Sequence, residues 1–188
     1  MTVAVTDEPG VVLRPLTRRQ YDALVATGAL DDVPVELLEG ALVEVAPQGP
    51  EHSWVVERVL PHLVRRLPEQ YSVRPGLPWV ADDLSEPEPD LAVVPRRSHR
   101  QEHPQQALLI VEVSRSSLAK DLGVKARVYA RAGAGAYWVV DVEAERVHVH
   151  TGPSATGWDD VVVRRYDEPL QVAGVEVVLA ELLRPDPH

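Results

Sequence analysis

The stretch Ala107-Leu108-Leu109-Ile110-Val111-Glu112-Val113 decides the fold. It is nearly continuous apolar sequence, the pattern of a central strand covered on both faces. One residue breaks it: Glu112, near the C-terminal end. A buried strand rarely tolerates a charge without a partner, so this acid marks a candidate site. The plainer alternative is a strand end whose carboxylate reaches solvent.

Downstream, Ser117 can cap a helix over 118–132, closed by Gly133 and Gly135. Segments 136–140 and 146–150 read as a strand pair, 152–160 as a loop, and 161–165 and 175–179 as closing strands. Upstream, 71–74, 77–80 and 91–94 read as strands. A helix over 52–67 carries Val55, Val56, Val59, Leu60, Leu63 and Val64 at helical spacing, with a kink or early break expected at Pro61. Residues 35–45 read as two short strands around Glu39-Gly40, and 18–27 as a helix stopped by Gly28. The whole is an α/β domain built on a mixed sheet. No internal repeat or composition break divides it, so 35–188 is expected to be one domain with 1–34 as a helical lead-in.

Composition narrows the function classes. The 188 residues hold 29 acids and 19 bases, a formal charge of −10, which argues against loose, sequence-independent nucleic-acid binding. Of the bases only Lys120 and Lys125 are lysines, both in one short segment, and lysine offers a tunable point charge that arginine lacks. The absence of cysteine excludes a disulfide scaffold and a cysteine-ligated zinc site. No run approaches the ~18 consecutive apolar residues of a membrane span. Residues 1–10 carry acids and proline rather than a basic and then apolar signal sequence, so a cytoplasmic protein is expected.

Three features carry chemistry. Pro89-Asp90 opens a strand after the acidic run Ser85-Glu86-Pro87-Glu88; Glu112 interrupts the apolar strand; Lys125 follows one helix later, four residues after Asp121 and four before Tyr129. Two carboxylates on neighbouring strands are what a hard divalent cation such as Mg²⁺ requires. A nearby ammonium can orient water or offset charge on a phosphate. Each has a bland counterpart: a turn dipeptide, a solvated strand end, a surface Asp121–Lys125 pair.

That order resembles the PD-(D/E)XK nuclease superfamily, and more closely its Uma-type “putative restriction endonuclease” family. The carrying block is Val111-Glu112-Val113-Ser114-Arg115-Ser116-Ser117-Leu118, then Asp121, Lys125, Tyr129-Ala130-Arg131-Ala132-Gly133 and Tyr137-Trp138-Val139-Val140-Asp141. Upstream, Val35-Glu36-Leu37-Leu38-Glu39-Gly40, Pro50-Glu51-His52 and Pro89-Asp90-Leu91-Ala92-Val93-Val94 also fit. The resemblance implies a restriction-endonuclease-like fold and a Mg²⁺- or Mn²⁺-dependent phosphodiesterase acting on DNA. Asp90 and Glu112 would bind the metal with the backbone carbonyl of Val113, Lys125 would serve catalysis, and Glu36 would be an auxiliary acid. The superfamily places its lysine two residues after the glutamate, where this chain has Ser114; the family pattern places it on the following helix, at Lys125. His52 falls at a family position and is grouped with the substrate contacts, against the plainer reading that a single histidine at a helix start caps or packs.

Phosphate contacts are expected first from Arg96, Arg97 and Arg100, in the loop following the Asp90 strand, and second from Arg127 and Arg131. Trp138 reads as core. His148 and His150 alternate on one strand but lack a third ligand, which favours a strand-surface role. The alternative function is a catalytically inactive nuclease-fold protein that binds nucleic acid or a protein partner. A homodimer suits a nuclease that cuts both strands, but no interface is evident in the sequence.

Overall fold

A computed structural model describes residues 13–184, so the 1–10 stretch weighed against a signal sequence lies outside the described residues. Helix α1 (Arg18–Ala26) leads into the hairpin β1 (Val35–Leu38) and β2 (Ala41–Glu44), helix α2 (Pro50–Arg66), and strands β3 (Tyr71–Pro75), β4 (Leu91–Pro95) and β5 (Leu109–Ser114). A crossover follows: α3 (Leu118–Lys120), a π turn (Asp121–Lys125) and α4 (Ala126–Arg131). The chain ends with β6 (Ala136–Asp141), β7 (Arg146–Ser154), β8 (Gly157–Arg165), the pair β9 (Leu170–Val172) and β10 (Val175–Val177), and α5 (Leu179–Leu182).

Strands β3 to β8 form one sheet in sequence order; only β5 and β6 run parallel, the other neighbours being antiparallel. A parallel pair needs a crossover, and the α3–α4 segment supplies it. Every residue of β5 is buried. Val111 and Val113 pack with Val55, Val59 and Leu63 of α2, while Ile110 packs with Ala126, Tyr129 and Tyr137. Strand alternation therefore turns Glu112 and Ser114 toward the crossover.

Local signals place the flanking parts. Thr17 and Gln20 form a capping box at the start of α1. The Tyr21 hydroxyl donates to the Val35 carbonyl at 3.1 Å, tying α1 to the hairpin. At the hairpin turn Glu39 and Gly40 have φ of 50° and 81°. A Cβ on Gly40 would stand 2.3 Å from Pro15 Cβ, so only glycine fits there.

Four expectations fail for identifiable reasons. Helix α2 runs unbroken past Pro61, because Val55, Val59 and Leu63 seat both halves on the sheet. Residues 77–80 are not a strand: prolines at 75, 78, 87 and 89 thin the available donors, and the Trp79 and Val80 amides bond singly to the Pro87 and Pro104 carbonyls. The 118–132 helix is interrupted by the π turn, and Ser117 makes no cap bond to the helix backbone. Residues 152–160 belong to the β7–β8 hairpin, which turns at Ala155-Thr156 and keeps its glycines inside the ladder. Within 175–179 the strand stops at Val177 and pairs with β9. Among the described residues no helix is long and apolar enough to cross a membrane.

Candidate active site

In the β4–β5 register Leu91 pairs with Val111, so one step outward brings Asp90 opposite Glu112. The start of β4 and the end of β5 thus meet at one end of the strands, inside the sheet. Asp90, Glu112 and Lys125 are 9%, 4% and 4% exposed, and all three line a single cavity of about 550 Å³ with His52, Val113 and Lys120.

Each side chain is held by others. The Lys125 Nζ lies 2.9 Å from Glu112 Oε1 and 3.0 Å from Glu36 Oε2. The Tyr129 hydroxyl donates to the same Glu112 Oε1 at 2.7 Å. Glu36, fully buried behind the cavity wall, also takes Lys120 Nζ at 2.9 Å and the Glu88 amide at 3.2 Å. Asp90 Oδ2 accepts the Val113 amide at 2.7 Å and lies 2.9 Å from His52 Nε2, while Gln48 donates to Oδ1 at 3.3 Å. The hydroxyls of Ser114 and Ser117 both donate to Asp121 Oδ2 at 2.6 Å, and Tyr137 donates to the Asp121 carbonyl at 3.0 Å. These bonds pin the π turn to β5, and the π turn carries Lys125 over the face that Glu112 presents.

Burial works against the charge on Glu112, and the Lys125 ammonium 2.9 Å away works in its favour. Burial alone would lower the Lys125 ammonium; the charges of Glu112 and Glu36 outweigh it, raise its pKa and keep it charged. Of the four buried acids here, Glu36 and Glu112 are met by Lys120 and Lys125, Asp90 by His52, and Asp121 by the two serine hydroxyls. Among the described residues no three His, Cys, Asp or Glu side chains cluster as a metal cage. Asp90 and Glu112 both line the open cavity, a pair of hard carboxylate ligands of the kind a divalent cation takes with water completing its shell. Among the described residues the bonds to Glu112 fall on Oε1, so Oε2 is the oxygen with ligand capacity to spare.

The arginine loop is elsewhere. Arg96, Arg97 and Arg100 follow the far end of β4, roughly 20 Å from Asp90 at ~3.3 Å per strand residue. Arg96 is bonded to the Tyr71 carbonyl, and Arg97 and Arg100 line a different cavity. Arg127 and Arg131 pair with Glu39 at 3.1 and 2.7 Å, outside the site. His52 does reach it, through Asp90 rather than by capping α2. Trp138 is core as expected, whereas His150 is not on the strand surface but buried, its ring tilted against Tyr137.

Sequence reasoning passed over Lys120, Arg115, Gln48 and Tyr129. Arg115 lines the cavity directly after β5 and holds Glu51 at 3.3 Å. Its signal was its place in the chain beside Glu112; that of Lys120 was the pairing of both lysines in one segment. Gln48, in the connection to α2, carries no pattern that would single it out.

The model of the Uma2 family, described as “Putative restriction endonuclease”, matches residues 19–182. Among solved structures, a crystal structure described as a putative nuclease belonging to DUF820 from Anabaena variabilis ATCC 29413 is similar, with a TM-score of 0.64 at 17% identity over 79% of this chain and 88% of that one. At that identity the likeness shows the fold, a nuclease-like mixed α/β architecture. No curated protein matches the chain.

Proposed function

The chain belongs to the Uma2 family of “Putative restriction endonuclease” proteins, and from that premise we propose that it is a cytoplasmic, Mg²⁺- or Mn²⁺-dependent endonuclease hydrolysing phosphodiester bonds in DNA. The observation that carries this reading is the meeting of Asp90, Glu112 and Lys125 on one cavity, with Lys125 2.9 Å from Glu112.

In this reading Asp90 and Glu112 hold the metal, helped by the Val113 carbonyl. A cation held there would supply Lewis-acid polarisation of a phosphoryl oxygen and a more acidic water. The Val113 amide and His52 fix the rotamer of Asp90. Lys125, held charged between two acids, presents an ammonium to the negative charge that grows on the phosphate. Glu36 assists by orienting Lys125 and Lys120 together. Arg115 and Lys120, on the cavity wall, replace the distant 96–100 loop as the first candidates for phosphate contacts.

Incubating the protein with plasmid DNA and Mg²⁺ or Mn²⁺, beside a chelator control, tests the proposal. Metal-dependent nicking that Glu112→Ala abolishes is expected; cleavage undiminished in that variant removes the assigned role. A second reading rests on Ser114, which bonds Asp121 where the superfamily pattern has a lysine: a nuclease fold that binds nucleic acid or a protein without cutting. Salt-sensitive DNA binding with no metal uptake by calorimetry would select it.

A further inference from the structure

Among the described residues, strand β8 is the last strand of the six-stranded sheet and pairs only with β7. Its outer edge is therefore a row of backbone donors and acceptors with no strand beside it, over nine residues. Val161 and Val163 on this strand are 50% and 46% exposed, and Asp159, Asp160, Arg164 and Arg165 are exposed beside them. The order is Asp159-Asp160-Val161-Val162-Val163-Arg164-Arg165, with acids on one side of Val162 and bases on the other.

We propose that this edge recognises a second copy of the chain, joining two sheets antiparallel about a two-fold axis through Val162. In that register Val162 faces its own copy and Val161 faces Val163. Asp160 faces Arg164, and Asp159 faces Arg165. The strand alternation puts the Asp160–Arg164 pairs and Val162 on one face, and the Asp159–Arg165 and Val161–Val163 pairs on the other. Both faces of the junction are complementary, as an isologous interface demands.

Charges on an edge strand usually discourage pairing. Here they select among pairings. Parallel in-register alignment sets Asp against Asp and Arg against Arg. A two-residue slip in one direction leaves Asp159 and Asp160 facing valines, and in the other direction it leaves Arg164 and Arg165 facing valines. Only the centred antiparallel register satisfies all four charged residues; the slipped ones take charges away from their opposite partners, and the parallel one sets like charges opposite each other. In the single chain Arg164 and Arg165 pair with Glu168 and Asp167, exposed partners that are readily exchanged. The interface lies on the opposite edge of the sheet from β3 and owes nothing to the metal site, so it stands or falls independently of the proposed cleavage.

Sedimentation equilibrium of the full chain over a wide concentration range tests this, with circular dichroism to check folding. The wild type is expected to dimerise. The double variants D159R/D160R and R164D/R165D, which stay folded because all four side chains are exposed, each bring like charges together and weaken dimerisation about tenfold or more. Mixing the two double variants restores complementary pairs at all four positions and recovers a heterodimer. A wild type that stays monomeric overturns the proposal and leaves the edge to another chain or to solvent. So do charge-reversed variants that dimerise as well as wild type, or a mixture that shows no recovery.

Discussion

Lys125 Nζ lies 2.9 Å from Glu112 Oε1, although one residue stands on a π turn and the other near the end of β5. Ser114 shares the face of Glu112 but donates its hydroxyl to Asp121. The ammonium therefore reaches the acid from the crossover rather than along the strand, and the two serines bound to Asp121 fix where it arrives.

Replacing Lys125 with methionine leaves Glu36 and Glu112 buried without their shared cation. Stability is expected to fall by about 3–5 kcal/mol in urea unfolding, and DNA cleavage by roughly 100- to 1,000-fold. Adding Glu36→Gln to Lys125→Met should return part of the stability and none of the cleavage. Recovery of cleavage in the double variant would contradict a catalytic ammonium.

His52 touches Asp90 at 2.9 Å and sets its orientation. Substituting alanine is expected to raise the Mn²⁺ dissociation constant by roughly 10- to 100-fold in titration calorimetry, the usual effect of losing the partner of a metal ligand. An unchanged constant would remove His52 from the site.

Arg115 lines the cavity that holds Asp90 and Glu112, whereas Arg97 and Arg100 line another. Arg115→Ala should weaken DNA binding and reduce the slope of log K against log salt by about one, while Arg97→Ala and Arg100→Ala leave that slope unchanged. The opposite ranking would return the phosphate contacts to the 96–100 loop.

Glu86 is 3% exposed, its Oε2 has no hydrogen-bond partner among the described residues, and Arg18 stands 3.8 Å away. Burial and the acidic neighbour Asp22 push its carboxyl up from 4.5 to about 7. A raised acid binds its proton more tightly in the folded state, so stability falls as pH rises from about 4.5 through about 7 and then levels. Glu86→Gln should flatten that fall and gain up to about 3 kcal/mol at pH 8. Parallel stability curves for the variant and wild type would contradict this.

The parts legible in the sequence are those governed by period and burial. The apolar run of β5 announces a central strand, and Glu112 within it must have a partner. What was not legible depended on chain direction and on irregular turns. The loop at Arg96 follows the Asp90 strand in sequence, but a strand carries its two ends apart, so adjacency in the chain became separation in space. The π turn is invisible to a 3.6-residue period, because it rests on hydrogen bonds from Ser114 and Ser117 to Asp121 rather than on an apolar pattern. Gly152, Pro153 and Gly157 read as loop punctuation, yet they lie inside the β7–β8 ladder, where positive φ at Gly152 and Gly157 is accommodated.

The central claim is that Asp90 and Glu112 share a metal ion. Crystals soaked in Mn²⁺ and measured for anomalous scattering test it most directly. A peak is expected within ligand distance of a carboxylate oxygen of both Asp90 and Glu112, beside the Val113 carbonyl, and it should vanish in Glu112→Ala. A peak elsewhere, or none at millimolar Mn²⁺, would contradict it.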